Sequence, residues 1–255
     1  MRKTVRFFAA ALFAALVLST AAFSSAFATD DAPEMNEKIN EMPVFSDIQG
    51  HWAEETILKW RDAGFVNGYP DGTFRPDQEI TRAELAKVIT LAFGLTEATE
   101  YTYNDISAEA WYVPYLATAS AYIPSYASAD VTVELMFYQK QNCFFPDAPV
   151  LRMHAAETFS LLKMKHDGIT VEIPDFSTVY TEVNALFADT QYDNTYVIRP
   201  SQGAPANVRR QHNYTWLANK LGVMQGDPNG YFRPFDGLTR AEVLTVLERI
   251  LAAKP

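Results

Sequence analysis

The sequence predicts a mainly α fold assembled from three copies of one helix–loop–helix unit. The first observation is a register in which Phe, Pro and Arg keep fixed positions: Phe74-Arg75-Pro76 to Arg82, Phe144-Phe145-Pro146 to Arg152, and Phe232-Arg233-Pro234 to Arg240. The second is a helix-start signature after it, Thr81-Arg82-Ala83-Glu84 and Thr239-Arg240-Ala241-Glu242, in which Thr suits an N-cap and Glu the N3 position. The third is the apolar stripe beyond each signature, Leu85, Val88, Ile89, Ala92 and Phe93 in one copy and Val243, Val246, Leu247, Ile250 and Leu251 in the other. A unit this small cannot bury its own apolar face, so the copies must pack on one another.

Before the first unit, Met1 to Ala28 reads as a signal peptide. Arg2, Lys3 and Arg6 give a basic start, Phe7 to Leu18 an apolar run, and Ala26-Phe27-Ala28 a small-x-small cleavage site. The run is short of the ~20 residues of a membrane span, so no span is expected once the signal is cleaved. Residues 29–43 read as a flexible acidic leader.

The first unit occupies 44–97. Trp52, Ile57, Trp60 and Ala63 place an apolar face on a helix over Ala53–Ala63, Gly64 suits its C-cap, and Gly68-Tyr69-Pro70-Asp71-Gly72 is a dense turn signal. The second unit, 101–167, is a drifted copy. Asp105 and Trp111 match Asp47 and Trp52, and a first helix is expected over Trp111–Ala121. An insert at about 124–141 holds Val131-Thr132-Val133-Glu134-Leu135, a candidate short strand. Leu151 and His154 stand where the capping Thr and Glu would be, which predicts a poorly capped helix and a differently oriented Arg152. Residues 168–185 read as a linker, with an alternation over Gly168–Phe176 open to an isolated strand. The third unit, 186–253, carries an insert at about 191–206, and Arg209-Arg210 occupy the place of His51-Trp52.

Charge and composition exclude several classes. With Arg2, Lys3 and Arg6 set aside from the 21 basic residues, 18 face 31 acidic ones. Such a chain is a poor ligand for nucleic acid and for an anionic membrane surface. Any anion must be caught by local groups. The single cysteine, Cys143, beside Phe144 and Phe145, reads as a buried thiol. The histidines His51, His154, His166 and His212 lack metal-ligand spacing, so neither metal nor cofactor is expected. Asp227-Pro228-Asn229-Gly230 reads as a turn rather than a calcium loop.

Phe45-Ser46-Asp47-Ile48, His51-Trp52-Ala53, Gly68 to Pro76 and Ile80 to Glu84 together resemble the S-layer homology family. The third copy resembles it over Gly222–Ile250 and the second more distantly. The resemblance implies a pseudo-three-fold helical bundle with three modules. It also implies a secreted bacterial cell-surface protein, not an enzyme, held non-covalently to secondary cell-wall polysaccharide, often pyruvylated, through grooves between modules. Carried over as ligand-binding positions are Arg82, Arg152, Arg240, Trp52, Trp111, Gly68 and Asp71, with Thr81, Glu84, Thr239 and Glu242 as structural caps.

The residues allow that chemistry on their own terms. An Arg in the first helical turn joins a planar five-donor group to free backbone N–H groups and the positive end of the dipole. A Trp offers a face to a sugar ring, and glycine lets backbone approach a ligand closely. Each has a plainer reading: the Arg solvated or paired with a motif Glu, the Trp in the core. Two other classes stay open: an envelope adaptor gripping a protein partner through its inserts, and a wall-active glycosidase, since coincidental carboxylate pairs are certain among so many acids. Oligomeric state is left open.

Overall fold

The computed structural model describes residues 45–124, 143–190 and 206–252, all within the compact unit Val44–Pro255. The expected signal peptide, the acidic leader and nearly all of both inserts, including the candidate strand, lie outside the described residues. Seven helices are present among those described: α1 Glu54–Asp62, α2 Arg82–Ala92, α3 Val113–Ala119, α4 Arg152–Asp167, α5 Phe176–Leu186, α6 Ala206–Lys220 and α7 Arg240–Ala252. None is long and apolar enough to cross a membrane.

The arrangement is cyclic. The helix that follows each motif packs on the first helix of the next repeat: α2 on α3, α4 on α6, and α7 back on α1. The stripes supply the buried surface, with Leu85, Ile89, Phe159, Leu162, Leu244, Leu247 and Ile250 at 0–1% exposure in one core. Burial of such apolar stripes is the main driving force of a helical fold.

At the centre three backbone bonds close a ring. Ile80 N–H donates to Leu238 O (2.9 Å), Leu238 N–H to Val150 O (2.9 Å), and Val150 N–H to Ile80 O (3.0 Å). Bridges Thr81–Pro149, Leu151–Gly237 and Glu79–Thr239 flank it. These three residues hold the same place in the register, six positions after each motif Phe, so a buried three-way backbone junction is satisfied only when all three copies are present.

The capping boxes form as read. Thr81 Oγ1 accepts from Glu84 N–H (3.2 Å) and Thr81 N–H donates to Glu84 Oε2 (2.9 Å); Thr239 and Glu242 repeat this at 3.2 and 2.8 Å. Helix α4 has no side-chain cap at Leu151, as expected. Its first turn is nevertheless satisfied, because Arg152 N–H donates to Asp236 O (2.9 Å) and Met153 N–H to Pro234 O (3.0 Å) of the third module. The other two modules repeat that pattern: Arg82 N–H to Ala148 O and Ala83 N–H to Pro146 O, Arg240 N–H to Gln78 O and Ala241 N–H to Pro76 O. The orphan donors of three helix N-termini are thus taken up by the neighbouring module's loop.

Three expectations need correction. On α1 the buried face holds Ile57 and Trp60, while Trp52 lies before the helix, exposed, and Ala63 is exposed beyond its end. The linker read at 168–185 is helical from Phe176 onward: Asp175 caps α5 by accepting from Ser177 and Thr178 N–H, and Val179 and Val183, one turn apart, bury against the core. Arg209 and Arg210 do not replace an opening turn but lie inside α6, where Arg210 binds Glu157 of α4 at 2.5 and 2.8 Å.

Candidate functional site

The loop that carries each motif is held open by an aspartate. Asp47 accepts from Phe74 and Arg75 N–H (both 2.7 Å), Asp105 from Phe144 and Phe145 N–H (2.8 and 2.6 Å), and Asp189 from Phe232 and Arg233 N–H (2.7 and 2.6 Å). The second residue of each pair sits at positive φ: Arg75 at 59°, Phe145 at 54° and Arg233 at 56°. A non-glycine residue there is strained, and two charge-assisted bonds offset it. Sequence reasoning matched Asp105 to Asp47 without giving either work; the recurrence of such an aspartate ahead of each copy, Asp189 included, was the signal.

With the loop in place, its Phe carbonyl faces the next helix start. Arg82 Nε donates to Phe144 O (2.6 Å), Arg152 Nε to Phe232 O (2.8 Å), and Arg240 Nε to Phe74 O (2.9 Å). Each guanidinium lies over the same Phe ring, at 4.8, 5.6 and 4.5 Å from its centroid. The fixed Phe, Pro and Arg of the register are therefore partners across seams between modules, through ring, carbonyl and guanidinium together. Arg152 is oriented like its counterparts despite the lost capping pair, which corrects the expectation of a different pose; its bond to Phe232 O sets the pose.

The seams differ in what surrounds the cation. Arg82 is 0% exposed and also donates to Pro124 O (2.6 Å). Beside it stands buried His154, at the position of a capping Glu; desolvation first, then Arg82 and Arg210, pushes its pKa down to about 3. Arg240, also buried, donates to Asn67 O (3.2 Å) and pairs with Glu84 (2.7 Å), whose carboxylate also accepts from Tyr69 O–H (3.0 Å). Burial foremost raises the Tyr69 pKa. Arg152 is only half-buried; its outer Nη2 donates to Gln225 O at 3.3 Å in an exposed setting, and no carboxylate of the described residues pairs with it.

The remaining nominated residues fall apart into different tasks. Trp52 and Trp111 are 63% and 56% exposed, immediately before α1 and α3. The turn holding Trp52 is tied to the motif loop by His51 Nε2 and Asp77 Oδ1 at 3.2 Å. Asp71 serves its own turn, accepting from Thr73 N–H (3.0 Å), Thr73 O–H (2.6 Å) and Arg75 Nη2 (2.8 Å), which hold its carboxyl at about 2. Arg75 in turn lies 3.8 Å from the Tyr69 ring centroid. Gly68 is required by packing: a Cβ there would stand 2.3 Å from the Phe45 ring and 2.6 Å from Thr73 O. The structure thus brings Arg240 to the Asn67–Asp71 loop of the first module. It gathers neither Arg82 nor Arg152 there.

Among the described residues no cluster of three or more His, Cys, Asp or Glu is placed to hold a metal ion. Cys143 is buried, and burial raises its thiol pKa.

Comparison with known proteins gives a consistent picture. The S-layer homology domain matches residues 44–86 and 217–244, in the first and third modules. Cell surface glycoprotein 1 of Acetivibrio thermocellus is 38% identical over 71 residues, 27% of this chain and 3% of that protein. The Surface-layer 125 kDa protein of Lysinibacillus sphaericus is 29% identical over 177 residues, 68% of this chain and 13% of its own length. The Cellulosome-anchoring protein of Acetivibrio thermocellus is 37% identical over 67 residues, 26% of this chain and 15% of that protein. The chain corresponds to a small part of each.

Proposed function

Because the chain carries the S-layer homology domain in its first and third modules, we propose that it is a non-catalytic anchoring protein of the bacterial cell surface that binds secondary cell-wall polysaccharide. The names of its relatives, a surface-layer protein, a cell surface glycoprotein and a cellulosome-anchoring protein, favour that location.

The observation that carries the reading is the paired exposure of Trp52 and Trp111 at equivalent positions in two modules. A large aromatic ring left in water at a repeated place is suited to stacking on an apolar partner face, as a pyranose ring offers. The second contribution is a cation open to solvent. Of the three motif arginines, Arg152 has the accessible, carboxylate-free guanidinium, and it is the one we assign to an acidic substituent such as a pyruvyl group. Arg82 and Arg240 act as seam ties, so their part in binding is indirect, and Gly68 and Asp71 shape the loop.

The test is co-sedimentation with purified walls. The mature protein should pellet with walls and remain in solution once wall polysaccharide has been stripped from them. Trp52→Ala with Trp111→Ala should weaken binding about tenfold while the thermal midpoint holds. Undiminished pelleting with stripped walls would sink the reading.

A further inference from the structure

We infer that one position in the glycine turn decides which seam offers its arginine to an anionic ligand. Tyr69 shuts Arg240 in the first module, and Asp227, at the same place in the third, leaves Arg152 able to bind. This rests on the reading of Arg152 as the cation for an acidic sugar substituent. It makes Tyr69 the residue that sets specificity between seams of one plan.

The two turns align without a gap, Gly68-Tyr69-Pro70-Asp71-Gly72-Thr73-Phe74 against Gly226-Asp227-Pro228-Asn229-Gly230-Tyr231-Phe232. Each must hold an arginine at positive φ, Arg75 at 59° and Arg233 at 56°, and they do so from different places. In the first turn Asp71 accepts from Arg75 Nη2 (2.8 Å) and Thr73 N–H (3.0 Å). In the third Asp227 accepts from Arg233 Nε (2.9 Å) and Nη2 (2.8 Å), and from Asn229 and Tyr231 N–H at 2.8 and 3.1 Å. Moving the aspartate along the first turn releases the place of Asp227 for an aromatic ring.

That ring closes the seam. The Arg240 guanidinium lies over both Tyr69 and Phe74, at 5.1 and 4.5 Å from the centroids, and Arg75 holds Tyr69 from 3.8 Å. The Tyr69 hydroxyl donates to Glu84 Oε1 (3.0 Å), the same oxygen that accepts from Arg240 Nη1 (2.7 Å). Thr81 N–H fixes the other oxygen, Oε2, at 2.9 Å. The carboxylate is thus steered onto the buried guanidinium, and an anionic ligand would have to break a charge-assisted pair to enter. Glu242 stands to Arg152 in the register as Glu84 stands to Arg240, and its Oε2 likewise accepts from Thr239 N–H (2.8 Å). No ion pair joins Glu242 to Arg152. The physical reason lies in the turn: an aspartate at the place of Tyr69 has no hydrogen to donate to that glutamate.

The experiment titrates the mature chain calorimetrically with purified wall polysaccharide, untreated and after acid removal of its pyruvyl groups. Wild type should prefer the untreated polysaccharide, and Arg152→Ala should lose that preference. Adding the third module's turn residues to that variant, Tyr69→Asp with Asp71→Asn, should restore the preference by about fivefold, because Arg240 is released. The reverse exchange in wild type, Asp227→Tyr with Asn229→Asp, should weaken binding of the untreated polysaccharide about fivefold. A preference lost in Arg152→Ala but moved by neither exchange overturns this inference and leaves the anchoring reading standing. No wild-type binding overturns both. An Arg152→Ala chain that binds like wild type removes the open seam and overturns the inference with it. Weaker binding after the first-turn exchange in wild type would make Tyr69 a ligand contact, which also overturns it. A thermal midpoint within about 2 °C of wild type establishes that the exchanges leave the fold intact. Where the first-turn exchange shifts it further, Tyr69→Phe, which removes only the hydroxyl, is read in the Arg152→Ala background; about twofold recovery supports the inference and none overturns it.

Discussion

The seam closed by Arg82 and the seam closed by Arg152 share one plan and differ in access to water. In both, Nε donates to a motif Phe carbonyl and the first helical N–H groups donate to the adjoining loop. At Arg82 the guanidinium is sealed by Pro124 O, the Phe144 ring and neutral His154. At Arg152 the outer edge stays half-open. The same residue at the same register position is therefore a structural tie in one place and an available cation in another. Position in a repeat fixes geometry; burial decides whether that geometry is left to bind anything.

Replacing each arginine by alanine should separate the two seams most strongly. Arg82→Ala removes a fully buried side chain and strips two carbonyls of their donor, which should cost about 3–5 kcal/mol in chemical denaturation. Arg152→Ala should cost about 1 kcal/mol and express itself chiefly in wall binding. Equal destabilisation by the two would erase the distinction.

Acid should probe the Arg82 seam next. His154 is neutral in the folded protein, with its pKa lowered from 6.5 to about 3, so the unfolded chain binds the extra proton first. Stability is then complete above about pH 6.5 and falls as pH drops toward 3, by roughly 4 kcal/mol from this group. Burial lowers His212 in the same direction. His154→Leu should flatten the pH dependence of the denaturation midpoint over that window, and an unchanged slope would show that His154 does not carry it.

The smallest effect is a gain. Leu151→Thr with His154→Glu rebuilds a capping pair on α4 and sets a carboxylate beside Arg82, as Glu84 stands beside Arg240. The midpoint should rise by about 1 kcal/mol equivalent. A fall would mean that the α4 start has repacked around its neighbour's carbonyls.

Much of the scaffold was legible because it is local. Thr81 with Glu84 and Thr239 with Glu242 announce helix starts within four residues, and the stripes that follow announce their buried faces. Helix α5 was legible from the Asp175 cap and from Phe176, Val179, Tyr180 and Val183, whose spacing is a helical period. The fate of the arginines was not local. Arg82 meets Phe144 across 62 positions and Arg240 meets Phe74 across 166, and nothing in the register tells which carbonyl a guanidinium will meet. The same holds for Trp52: five positions before Ile57 it joins only a loose apolar face on paper, and the helix begins two residues later and leaves it in solvent.

The junction of Ile80, Val150 and Leu238 has a kinetic and mechanical meaning as well. An open row of repeats has two ends from which it can fray, and it can lose a unit while the others persist. A closed cycle has no end unit. Opening one link exposes buried donors and acceptors on both modules beside it, so partial unfolding is heavily penalised and the three should melt as one. Under the proposed anchoring role, grip would then be all-or-nothing: intact under strain until the whole cycle gives way.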